Sequence, residues 1–169
     1  LYAEKHMEIY TGSDDHYYKQ WHLSNTGQAG GSPGADINAE AAWSVYSGNS
    51  NIKIGVIDTG VDLNHEDLTG KSSGDLFDQN YGAYDHGTHV AGIAAAIHNN
   101  IGKIKGVDAN AQIISKRIFE AGGNLGDPNI ANKIISAVDD GANILNNSWG
   151  SNQYSITVRL AFSYAFKLN

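Results

Sequence analysis

A chain of 169 residues has the length of one domain, and such a chain can bury roughly 70% of its unfolded surface. With 41% hydrophobic residues, 17% charged residues and 20 glycines, it reads as a folded polypeptide rich in tight turns, not as a disordered one. A formal charge of -7 without a Lys/Arg cluster excludes nucleic-acid binding, and the absence of cysteine excludes disulfides, thiolate metal sites and a cysteine nucleophile. No apolar run approaches the roughly 20 residues that cross a bilayer, so no membrane partner is expected.

Residues 1 to about 50 are polar and turn-rich, with Gly27, Gly30, Gly31, Pro33 and Gly34 in one loop and a helical fragment at Asn38–Trp43 after it. The run 52–57 is continuous and β-type, suited to a strand covered on both faces, and Asp58 stands at its carboxyl end. Small and apolar residues from His86 to about Asn99 predict a buried helix, and 112–118 a second strand. Asp127-Pro128 opens another helix, with the aspartate as N-cap, proline at the first helical position and Ile130, Ile134 and Val138 on one face. Gly141 ends it, a third strand covers 142–147, and an amphipathic helix covers 155–167. Alternating strands and helices predict an α/β fold, a parallel β-sheet flanked by helices. Ligands of such sheets bind beyond the carboxyl ends of the strands, where Asp58 and Asn147 fall.

The densest signal is Ile57-Asp58-Thr59-Gly60-Val61-Asp62, then His65-Glu66-Asp67-Leu68, then Asp85-His86-Gly87-Thr88-His89-Val90-Ala91-Gly92. Asp-Thr-Gly after a strand also occurs in aspartic proteases and phosphate-handling α/β proteins; the histidine motif decides between them. Together the motifs resemble those of the subtilisin-like (subtilase) family of serine proteases, over a stretch from about Gln20 to the end. The resemblance implies that Asp58 holds the Nδ1–H of His86, while Nε2 acts as general base on a serine and then as general acid to the leaving amine. His65 and His89 read as structural, His89 directed to the helix interior, and Asp62 as a turn or surface carboxylate.

In the family's order of Asp, His, Ser, the serine is expected beyond Asn169. The resemblance therefore implies a fold incomplete at its C-terminus, a missing C-terminal part of the catalytic domain as partner, and an inert stretch when alone. Ser148 is not read as the nucleophile, because Asn146 stands where the first glycine of a nucleophile elbow would be. Instead, Ser148, Trp149 and Gly150, with Gly123, Asn124 and Leu125, are implied to flank an extended protein or peptide substrate by β-augmentation.

The loop 97–106 resembles the family's calcium-binding loop, the alternative being a solvated helix exit. The resemblance implies a structural Ca²⁺ held by the carbonyls of Ile97, Ile101 and Lys103, the side chains of Asn99 and Asp67, and Asp15, with Gln20 as the alternative to Asp15. Residues 1–12 resemble a propeptide tail, with 13–169 as the N-terminal portion of the catalytic domain. The expected reading is thus a partial sequence of a secreted, calcium-stabilised endopeptidase, with its own propeptide as a further partner. A non-catalytic module that binds peptides or a partner is the competing expectation.

Overall fold

Strand β1, Lys53–Asp58, is buried at five of its six residues, which requires cover on both faces. The computed structural model describes residue 14, residues 16–100 and residues 104–168; the segment 1–12 thus lies outside the described residues. Alternate side chains of a strand point to opposite faces, and β1 uses both. Ile54 and Val56 pack with Val61, Leu68, Ala91, Ala95 and Ile113, whereas Ile57 packs with Ile114, Ile118, Ile130, Ile134 and Ala161.

β1 is an inner strand of a parallel four-stranded sheet. Strand β2 (Ser72–Gly74) pairs with β3 (Gln112–Arg117), β3 with β1, and β1 with β6 (Ile144–Asn146). Helix α1 (Ala39–Val45) precedes the sheet, and Trp43 ties it down by donating from Nε1 to the Val107 carbonyl at 2.8 Å. Helix α2 (His86–Ala95) buries Gly87, Ala91, Gly92 and Ala95 against the Ile54/Val56 face. Helices α3 (Asp127–Asp139) and α4 (Ile156–Leu168) cover the other face. Two residue pairs, β4 (Phe119–Glu120) and β5 (Gly123–Asn124), form a small antiparallel hairpin before α3.

Two expectations shift. The N-cap of α3 is Gly126 (φ 79°), and no side chain caps the helix. The turn out of β5 needs a positive φ there, which glycine supplies without strain, so Asp127 moves inside the first turn and its charge meets the positive end of the helix dipole. Likewise α2 ends at Ala95, short of Asn99, because the chain leaves it to meet Asp67, whose carbonyl accepts from the Ile97 N–H at 2.9 Å.

A buried cation fixes that helix end. Lys71 is 7% exposed, and its Nζ donates to the carbonyls of Ala95 (2.6 Å) and Ala109 (2.5 Å). Burial lowers its pKa from 10.5 to about 8, against the opposing charge of Asp108.

Candidate active site

The alternation that buries Ile54 and Val56 against α2 also turns Asp58 toward α2. Its carboxylate is 1% exposed. Oδ1 accepts from the Thr59 N–H at 2.7 Å and meets Nδ1 of His86 at 2.7 Å. Oδ2 is buried and has no hydrogen-bond partner among the described residues. An ionised carboxylate only accepts, so the ring nitrogen facing it carries the proton. In the neutral ring Nε2 is then the bare nitrogen, on the side away from Asp58. The His86 side chain is 45% exposed. The pair therefore combines a dry anchor with an accessible base.

His86 is the first residue of α2, and that turn lies directly on the end of β1. A Cβ at Gly87 would strike the Gly60 carbonyl oxygen and come within 3.1 Å of Thr59 Oγ1. Only glycine lets the helix approach this closely. The Gly87 N–H donates to Thr59 Oγ1 at 2.8 Å, and that hydroxyl donates to the Tyr84 carbonyl at 3.1 Å.

On the other side of β1, the Trp149 indole donates to the Ile57 carbonyl at 2.8 Å, tying the loop after β6 to the residue before Asp58. Trp149, Gly150 and Asn124 line a cleft of about 600 Å³ whose apolar walls include Phe119, Ile130, Val158 and Phe162. Ser148 is exposed and accepts from Asn146 Nδ2 at 2.9 Å. Gly123 lies in β5, and Leu125 closes the hairpin by donating its N–H to the Ile118 carbonyl at 2.9 Å. Of the six substrate-wall residues expected from sequence, three face this cleft; Gly123, Leu125 and Ser148 do not line it. His65 and His89 share a smaller cleft with Asp62 and Thr88. His89 is exposed, contrary to the interior position expected from the helix pattern, because the buried stripe of α2 runs through Gly87, Ala91 and Ala95 instead. Asp62 accepts from the Asn64 N–H at 3.0 Å, as a turn carboxylate does.

The peptidase S8 subtilase family model matches residues 49–165, which include β1, α2 and both the Asp58 and the His86 motifs. The chain belongs to the subtilase family. Thermophilic serine proteinase of Bacillus sp. (strain AK1) is 43% identical over 130 residues, 74% of this chain and 32% of the relative. Thermitase of Thermoactinomyces vulgaris is 38% identical over 135 residues, 77% of this chain and 48% of the relative. The crystal structure of fervidolysin from Fervidobacterium pennivorans, a keratinolytic enzyme related to subtilisin, superposes with a TM-score of 0.65 at 38% identity, covering 76% of this chain and 21% of that one. This subtilase chain thus spans less than half the length of these relatives.

Beyond α2 of the subtilase fold lies the loop expected to hold a cation. Asp67, 2% exposed, and residues 97–100 meet there: Ile97 bonds to the Asp67 carbonyl, and Asn100 Nδ2 donates to the Glu66 carbonyl at 3.1 Å. The Asn99 N–H donates to both carboxylate oxygens of Asp14, at 2.9 and 3.1 Å. Asp14 is therefore a carboxylate at this loop that the sequence reading passed over in favour of its neighbour; Asp15, Ile101 and Lys103 lie outside the described residues. Gln20, the alternative, is engaged elsewhere: its amide donates to the Lys105 carbonyl (2.9 Å) and accepts from the Lys105 N–H (2.7 Å). Among the described residues no group of three or more His, Asp or Glu side chains is arranged for a metal. Asp14 and Asp67 nevertheless bring two buried carboxylates to this loop, and carboxylate oxygens are the hard donors that calcium takes, so their chemistry fits.

Proposed function

We propose that this chain carries the aspartate and histidine of a serine endopeptidase that hydrolyses peptide bonds of proteins, with the serine contributed by residues beyond Asn169. The observation that supports it is the 2.7 Å contact between Asp58 Oδ1 and His86 Nδ1, with the ring otherwise accessible. Asp58 keeps the proton on Nδ1 and compensates the imidazolium that forms when Nε2 takes the serine proton; Nε2 then returns that proton to the leaving amine. Gly123, Asn124 and Leu125 on one side, and Ser148, Trp149 and Gly150 on the other, flank an extended peptide whose backbone adds as a strand. The 600 Å³ cleft supports this placement for Asn124, Trp149 and Gly150, which line it.

A calcium ion is the proposed structural cofactor, held by Asp67, Asn99, the carbonyls of Ile97, Ile101 and Lys103, and Asp14 or Asp15. When bound, it would brace the loop by charge, and it takes no part in the chemistry. Residues 1–12 are proposed as a propeptide tail, the rest of the catalytic domain as the partner that completes the enzyme, and the extracellular space as its location. Similarity to proteins named cell wall-associated protease and minor extracellular protease, both of Bacillus subtilis, supports that location.

The test is peptidase activity on a fluorogenic peptide, for the 169-residue chain and for the chain extended by its native downstream sequence. The extended chain should hydrolyse the peptide, be inactivated by a sulfonyl fluoride, and lose on the order of 10⁴-fold in kcat on Asp58→Asn. The short chain should be inert. Activity in the extended chain that survives His86→Ala would refute the assignment.

A further inference from the structure

Asp58 and His86 lie on different elements, 28 residues apart in sequence, and a 2.7 Å contact between two elements survives only if something fixes their register. The residue in the N-cap position of α2, Asp85, makes no side-chain cap. The first amides of a helix have no partner within it, so a donor here must be met from outside. Thr59 meets it. Its buried hydroxyl accepts the Gly87 N–H and donates to the Tyr84 carbonyl, while its own N–H holds Asp58 Oδ1. A hydroxyl can accept and donate at once. One residue thus grips peptide groups on both sides of His86 and the carboxylate that faces the ring.

We propose that Thr59 is a positioning residue: a cap of α2 supplied from the end of β1, which sets the His86 ring against Asp58 and thereby holds the Nδ1–H tautomer. The proposal rests on the reading of Asp58 and His86 as the catalytic pair. Neither a cap on α2 alone nor a turn after β1 alone requires one residue whose hydroxyl bridges Tyr84 and Gly87 while its own N–H holds Asp58. A merely stabilising role would leave the ring's tautomer unchanged wherever the chain still folds.

The experiment is NMR of the ¹⁵N-histidine-labelled chain, following the hydrogen-bonded Nδ1–H proton of His86 and amide exchange at Gly87. Wild type and Thr59→Ser should both show the Nδ1–H resonance. Thr59→Val keeps the shape without the hydroxyl; it should lose that resonance, mix the two tautomers, and exchange the Gly87 amide at least tenfold faster. Folded Thr59→Val with an unchanged resonance and tautomer would overturn the proposal. Should Thr59→Val fail to fold, Thr59→Ala, which leaves room for water, is read in the same way; if both unfold, Thr59 serves stability alone and the proposal is rejected. Asp58→Asn is the separate control. A resonance that persists in it, or is lacking in wild type, would sink the catalytic-pair reading itself, independently of Thr59.

Discussion

Lys71 makes the stability of this fold depend on pH in an unusual direction. Its ammonium is buried against two carbonyl oxygens, and its pKa falls from 10.5 to about 8 because burial disfavours the charged form. Between those values the unfolded chain holds the proton and the folded chain does not, so stability rises as pH climbs from about 8 to about 10.5. At about 1.36 kcal/mol per pH unit the full gain is about 3 kcal/mol, an upper figure. The neutral amine keeps two N–H donors for its two carbonyl acceptors, so deprotonation forfeits neither hydrogen bond. Lys71→Met removes both the titration and the donors. Urea unfolding of the two proteins at pH 7, 8.5 and 10.5 isolates the effect, because every other titrating group cancels in the difference. The wild type should gain stability over the Met variant by about 2–3 kcal/mol between pH 7 and 10.5. A difference that stays flat, or shrinks, across that range would refute the argument.

Gly87→Ala should destabilise the fold by about 1–3 kcal/mol, since its Cβ strikes the Gly60 carbonyl; thermal unfolding monitored by circular dichroism would read it, and an unchanged midpoint would contradict the close approach. Trp149→Phe removes the hydrogen bond to Ile57 and should cost about 1–2 kcal/mol in urea unfolding. For the proposed cation, calcium at about a hundredfold its Kd should stabilise by about 2.7 kcal/mol. Chelation should lower Tm accordingly, and Asp67→Asn should abolish the response. A Tm indifferent to calcium would remove the cofactor from the proposal.

The elements that the sequence made legible were those with a long period or a dense motif. The buried run at 53–58 and the Ile130/Ile134/Val138 stripe of α3 each repeat one pattern over several residues, and both appear within a residue or two of expectation. The union of Asp58 with His86 was legible because the motif residues sit at element ends, where spacing translates into position. β2 and the β4–β5 hairpin were not, being too short for any periodicity to emerge. Asp14 was missed for a different reason. Two adjacent aspartates offer the same chemistry, and only the path of the backbone decides which one reaches Asn99. Thr59 was visible only as part of a motif, since capping between remote elements leaves no trace in local pattern.

Helix α2 carries the His86 ring at one end and is anchored at the other by Lys71 and the Asp67 loop. Ten residues rise about 15 Å, so a tilt of only about 4° about that anchor would displace His86 by about 1 Å. Misplacement on that scale can lower a rate by about two orders of magnitude. The helix is thus a lever whose fulcrum lies at the loop, and small slackness in a distant ammonium or carboxylate reaches the His86 ring magnified into lost alignment with Asp58.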